Sequence, residues 1–222
     1  ADSYDLVDAV VTTESNATLE IAGDVSGTGG LVKDGLGQLR LSGANSYVGG
    51  TALQAGTIVA ASDQALGTGA LEAGGADVVL LAGKRSVALD NAVTLSADLI
   101  VDTVDALMSL SGDISGAGGL TKRGSGTLVL AGQNAFLGDI DVEAGTLALG
   151  ASTASSTGEV IMSADTTLQA NNNLTVDNVF KLRGPVEFNT QAFAVTLNGA
   201  ISNKSVGQLI KTGSGTLTLN AI

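Results

Sequence analysis

Apolar residues in this chain come in short alternating runs that glycine breaks. Leu39 and Leu41 are separated by Arg40 and preceded by Gln38, and Leu217 and Leu219 are separated by Thr218 and preceded by Thr216. A period of two is the signature of a strand with one buried face. Weaker versions of the same pattern occupy 77–81, 86–89, 92–95, 166–169 and 194–197. Gly-x-Gly stands just before the strongest strands and Gly-x-Asn just after them (Gly43 to Asn45, Gly132 to Asn134), residue types that tolerate positive φ and turn the chain sharply. The pattern predicts many short strands and frequent turns.

The strands recur. Residues 29–47 return 89 positions later as 118–136 and begin again at 207, so that Leu31, Lys33, Leu39 and Leu41 have counterparts in Leu120, Lys122, Leu128 and Leu130 and then in Leu209, Lys211, Leu217 and Leu219. The match reaches upstream, 19–27 with 108–116, and downstream, 56–58 with 145–147. Residues 199–202 match only after a shift of two positions, which predicts a small loop insertion between Ser202 and Leu209. An 89-residue unit divides into four coils of about 22 residues. One such coil is too small to bury its own apolar face, so coils must stack and cover one another at the strand spacing of ~4.8 Å. The predicted fold is all-β, a parallel β-helix of about ten coils and roughly 48 Å in length. A sandwich of hairpins is the alternative, but Asp34-Gly35 and Asn198-Gly199 are the lone pairs with two-residue hairpin chemistry.

Composition narrows the function. With 31 Gly, one Pro (Pro185) and 3% aromatic residues, neither a helical bundle nor a disordered chain is expected. The net charge of −12 disfavours nucleic acid and anionic lipid as partners. The chain has no Cys and no His, which removes thiol chemistry, the common zinc sites and every Ser-His-Asp arrangement. It has no 18-residue apolar run, and its first residues lack the features of a signal peptide. The chain is therefore expected to be either cytosolic or a piece cut from a longer precursor, and residues 1–222 are read as a single β-helical segment with repeat copies near 19–61, 108–150 and 199–222.

Candidate chemistry is sparse. Lys33, Lys122 and Lys211 share one repeat position. Stacked four coils apart they would lie about 19 Å from one another, and they are read as solvated gatekeepers against misregistered pairing. Strict alternation puts Lys33 on the face of Leu31, so a corner is expected to intervene. Asp98, Asp102 and Asp105 form the densest acidic cluster and are read as a solvated face, because paired glycosidic carboxylates need a groove and an aromatic sugar platform. Residues 74–77 lack the tandem copies of a calcium repeat, and no glycine pair precedes a helix as in a phosphate loop. Asn171-Asn172-Asn173 marks a turn, with an internal asparagine ladder as the sharper alternative. The glycosylation triplets at Asn16, Asn173 and Asn203 are given no role. No catalytic, cofactor-binding or metal-binding residue is predicted, and no enzyme activity.

The repeated Gly-Gly-Leu-x-Lys-x-Gly-x-Gly-x-Leu-x-Leu-x-Gly-x-Asn-x-aromatic, followed by Gly56-Thr57-Ile58 or Gly145-Thr146-Leu147, resembles the passenger-associated transport repeat of Gram-negative autotransporters. The resemblance covers 19–61 and 108–150 well and 199–219 in part. It implies a right-handed parallel β-helix, exported through both membranes by way of a C-terminal outer-membrane barrel of the precursor, and a place on the cell surface or in the medium. The function it suggests is a structural stalk that projects an effector region. The alternatives are an adhesin or self-association module contacting host cells, matrix or a second copy, and the carrier of a protease domain outside this fragment.

Overall fold

Because each strand offers one inward row of apolar side chains, neighbouring turns of chain must cover one another if the leucines are to leave water. The computed structural model describes residues 3–152, 156–203 and 207–221. Among these residues it contains 28 strands and no helix. Every strand pair is parallel, and partners lie 19 to 23 residues apart in sequence. The hairpin sandwich is thereby excluded and the solenoid of about ten coils stands. No helix among the described residues is long and apolar enough to cross a membrane.

Each coil visits three faces. The second face is one continuous ten-stranded sheet, from Thr18–Ile21 to Ile201–Asn203. The first face begins as a six-stranded sheet from Ala9–Thr12 to Ile114–Gly116 and resumes as three strands from Leu174–Val176 to Leu217–Leu219. Between the two, irregular backbone carries the ladder on, Ala135 N–H donating to the Ile114 carbonyl and Thr157 N–H to that of Phe136. The third face begins as the pair Ser3–Asp5 and Asp24–Ser26 and resumes as seven strands from Ser86–Leu89 to Gln208–Thr212. Ser46 N–H donating to the Val25 carbonyl, and Thr68 N–H to that of Tyr47, cross its gap.

The register corrects the length of the repeat. Leu31 pairs with Thr51, Thr51 with Leu71, Leu71 with Val93 and Val93 with Ile114, which completes four coils on the first face. Leu120, the repeat counterpart of Leu31, lies one strand further on, in the second face. Leu209 lies on the third. The 89-residue unit is therefore four coils and a third, with coils nearer 21 than 22 residues. Each copy is turned by one face relative to the copy before it, and the strandless stretch that follows Leu41 on the third face reappears after Leu130 on the first. From Ile201 to Leu209 the chain is two residues longer than from Ile114 to Leu120. The stretch between Ser202 and Leu209, where the insertion is expected, includes 204–206, which lie outside the described residues.

Inward positions hold the core. Leu39, Leu41, Leu128 and Leu130 are fully buried, as are Leu53, Ile58, Leu147 and Leu149 in the coils that follow them. Tyr47 and Phe136 are also fully buried. Each fills the interior where its strandless loop supplies no alternating side chains. Near the C-terminal end the rings of Phe180 and Phe188 meet edge to face, 5.5 Å between centroids, the arrangement that ring quadrupoles favour.

Candidate functional site

The repeat position with the most chemistry is the lysine, and at Lys33 and Lys122 the structure overturns its reading as a solvated gatekeeper, whereas Lys211 is exposed. No corner separates Leu31 from Lys33. Alternation holds, and the strand Leu31–Asp34 turns both side chains inward. Lys33 and Lys122 have no exposed surface. The Lys33 ammonium donates to the carbonyls of Asp34 (2.8 Å), Gly35 (2.6 Å) and, in the next coil, Ala55 (2.9 Å). Lys122 repeats this on Arg123 (2.9 Å), Gly124 (2.7 Å) and Ala144 (3.0 Å). Three N–H groups meet three carbonyls, so the charge is buried with its full set of partners. Burial pushes the Lys122 amine down to about 8, opposed by the nearby Asp102 carboxylate. Burial lowers Lys33 as well, opposed by Asp34.

These lysines form no ladder, because the third of a turn puts them on different faces. They lock corners instead. The residue after the lysine strand is a glycine with φ between 73° and 77° in all three copies, Gly35, Gly124 and Gly213, a backbone region that L side chains avoid. That conformation aims the glycine carbonyl inward, where no strand partner exists, and the ammonium supplies the missing donor.

Other polar groups brace successive coils. Asn45 accepts from Val25 N–H (2.9 Å) in the preceding coil and donates to the Ala65 carbonyl (2.7 Å) in the next. Asn134 accepts from Ile114 N–H (2.9 Å) in the same way. Neither residue has positive φ, so the Asn of Gly-x-Asn bridges coils and does not supply the left-handed turn expected of it. Asn91 donates to Gly67 and Gly69, and Asn178 to Ser156 and Gly158. The internal asparagines thus occur at the corners. Asn171-Asn172-Asn173 itself is a bend. Aspartates do the same from outside: Asp8, Asp24, Asp98, Asp113 and Asp139 each accept a backbone N–H from the following coil at 2.6–2.8 Å.

That role disposes of the acidic cluster. Asp98 precedes the strand Leu99–Asp102 and Asp102 ends it, a separation of roughly 13 Å along an extended chain. The two carboxylates of a glycosidase stand within about 9.5 Å. Asp98 is engaged with Gly119 N–H and Asp102 with Val104 N–H, and Asp105 lies in the turn beyond. Among the described residues no three carboxylates gather as a metal site. An open groove of about 600 Å³ runs over Val10, Val32, Val48, Ala52 and Glu72. The triplet at Asn203 includes Lys204 and Ser205, outside the described residues.

One pair of positions shows how the copies adjust to each other. The Tyr47 hydroxyl meets the Thr51 hydroxyl at 2.5 Å, and Thr51 donates to the Leu66 carbonyl at 3.1 Å. Burial pushes the Tyr47 phenol up to about 12. In the second copy both partners are apolar, Phe136 and Ile140, each fully buried. Thr51→Ile alone strands a buried hydroxyl and is expected to cost about 2 kcal/mol. Adding Tyr47→Phe should recover at least about 1 kcal/mol of that loss, read as the midpoint of urea unfolding. Additive losses would show that the two hydroxyls are not coupled.

The sequence model of the passenger-associated-transport-repeat family matches residues 31–60, 120–149 and 209–221. The first two matches each enclose one complete lysine lock, from Lys33 to Ala55 and from Lys122 to Ala144. The chain is 38% identical over 141 residues to an adhesin autotransporter, BmaC, of Brucella suis biovar 1, a match that covers 61% of this chain and 4% of the adhesin. It is 57% identical over 47 residues to an extracellular serine protease of Serratia marcescens, covering 21% of this chain and 4% of the protease. The chain thus spans a small part of the curated relatives it matches. No solved structure matches it. The matched repeats, the Brucella relative and the parallel β-helix together make this chain part of the passenger domain of an autotransporter, of the kind displayed on the bacterial surface or secreted.

Proposed function

We propose that the chain is a structural β-helical stalk, one stretch of a longer passenger, which holds an effector region away from the cell surface and has no catalytic role of its own. One observation carries this reading. Across the three copies the inward positions of the lysine strand and of the strand after it are constant, such as Leu31, Leu120 and Leu209 or Lys33, Lys122 and Lys211, while the outward ones change freely, from Val32 to Thr121 to Ile210 and from Arg40 to Val129 to Thr218. What the repeat preserves is the inner wall of a rod, and no outward side chain of these two strands is kept through all three copies. In the precursor, the passenger class implies a C-terminal outer-membrane translocator. The purified chain is expected to hydrolyse no protein or glycan substrate. A hydrolytic activity abolished by one Asp or Ser substitution would overturn the proposal.

The Brucella relative, named as an adhesin, favours a second reading, in which the outer faces bind host-cell surface, matrix or another copy. Beads coated with the chain would then clump or adhere to cells. No binding at any ionic strength would refute it. The Serratia relative supports a third role, as carrier of a protease domain located elsewhere in the precursor.

A further inference from the structure

The first two copies of the repeat each carry one outward row that runs along the side of the rod, and the rows differ in what covers them. In the first copy the row lies on the first face and passes through Val10, Val32, Ala52, Glu72 and Thr94, partners in register from coil to coil. In the second copy it is turned onto the second face and passes through Ile100, Thr121, Asp141, Ile161 and Lys181. Thr121, Asp141 and Ile161 stand 89 residues after Val32, Ala52 and Glu72. The two rows therefore occupy the same place on the same scaffold, and the scaffold does not require the valines of the first.

The second row is served by the chain's own cations. Lys181 pairs with Glu159, and Arg183 reaches back two coils to Asp141 (3.0 Å). At the other end of that row Ile100 is only 8% exposed. The first row has neither cation nor cover. Val10, in the place of Ile100, is 68% exposed, and Thr94 stands where the second row has Lys181. Arg40, Lys84, Arg123, Lys181 and Arg183 all pair with acids on or beside the second face. Among the described residues no strand of the first face carries an outward Lys or Arg. What the first row keeps is acid, Glu72 within it and Asp8 at its edge, the latter accepting from Gly30 N–H (2.8 Å). With the exposed Val48 these residues line the open groove of about 600 Å³, and apolar side chains gathered in one groove mark an interaction surface.

We infer that this groove binds a basic, aliphatic-bearing stretch of extended polypeptide from a partner protein. Its Lys or Arg side chains meet Glu72 and Asp8, as Lys181 and Arg183 meet acids in the second copy, and its aliphatic side chains cover Val10, Val32 and Val48. Charge complementarity selects the partner's sign. Glu72 stands three coils from Val10, roughly 14 Å, and five extended residues span about 17 Å, enough to touch both. The inference goes beyond the stalk, since a rod that holds an effector region also has sides. It gives the adhesin reading one surface and one partner chemistry, and it fails separately from that reading, because coated beads adhere through any face.

The test titrates the full chain into a fluorescein-labelled peptide, Lys-Val-Lys-Val-Lys, and follows fluorescence anisotropy. The peptide should bind, more weakly as salt is raised, and its Glu-Val-Glu-Val-Glu counterpart should not. Glu72→Lys should weaken binding about tenfold or more. Thr94→Lys, which gives the first row the cation of the second, should weaken it as well. Glu187→Lys makes the same charge change on the third face and should leave binding as it was. No binding of the basic peptide at low salt would overturn the inference. So would equal losses from Glu72→Lys and Glu187→Lys, which mean attraction to the net charge alone, or full-strength binding to the Thr94→Lys chain. A dimer of the chain that Glu72→Lys disrupts, with no peptide bound, would assign the groove to a second copy and overturn it too.

Discussion

Leu128→Asp should unfold the coils around it while Thr127→Asp, one residue away, leaves them intact. Leu128 is fully buried and stacks between Met108 in the coil below and Leu147 in the coil above. A carboxylate there has no donor within its layer, and an unpaired buried charge costs at least several kcal/mol, against about 2 kcal/mol that the leucine gains from burial. Thr127 lies on the outer side of the same strand, where added charge is expected to change stability by no more than about 0.5 kcal/mol. Because each coil touches only its neighbours, damage should spread by nearest-neighbour loss. Hydrogen exchange should therefore show Leu107–Leu110 and Thr146–Leu149 deprotected first. Equal tolerance of the two substitutions would mean that the faces of this strand are assigned backwards.

Lys122→Met is the second large effect, and its sign is unexpected for replacing a buried charge with an apolar chain of similar length. Exchange of a buried ion for a hydrophobe is often neutral when its partners leave with it. Here the partners are backbone and stay. The Arg123 carbonyl keeps the Thr103 N–H and hydroxyl as donors, but the carbonyls of Gly124 and Ala144 lose the ammonium. Two stranded carbonyls at 1–3 kcal/mol each give a loss of about 3 kcal/mol after the relief of burying no charge. Thr121→Met, facing outward on the same strand, should cost less than about 0.5 kcal/mol. Urea midpoints of the two variants compare them directly. A Lys122→Met chain as stable as the parent would show that the lock contributes nothing.

The fold was legible because its main determinants are local and periodic. Leu39 and Leu41 alternate, the repeat exposes itself at 89 residues, and so small a coil has no way to bury its leucines except by stacking. What was not legible is how many coils make one repeat. Coils vary from 19 to 23 residues, so 89 fits four coils or four and a third equally well, and only the pairing of Val93 with Ile114, one strand short of Leu120, decides between them. The lysine position shows a different failure. Alternation had already put Lys33 beside Leu31 on the inner face. The general preference of lysine for water argued the other way, because the compensating carbonyls belong to a glycine corner and to a residue 22 positions on. Asn45 escaped for the same reason, since its partners, Val25 and Ala65, lie one coil to either side. Polar groups whose partners are distant in sequence look like turn residues until the coils are stacked.

The advance of four coils and one face per repeat is the claim on which the placement of the lysine locks and of the displaced loops depends. It is tested most directly by distances between paired spin labels on outward positions, measured by pulsed electron resonance. Val32 and Ser115 lie on the same face four coils apart, linked through Ala52, Glu72 and Thr94, and should be separated by about 19 Å, four strand spacings. Val32 and Thr121, its repeat counterpart, lie on different faces and should be distinctly further apart, although only six residues separate Ser115 from Thr121. A short distance for Val32 with Thr121 and a longer one for Val32 with Ser115 would contradict the account and restore a repeat of four whole coils.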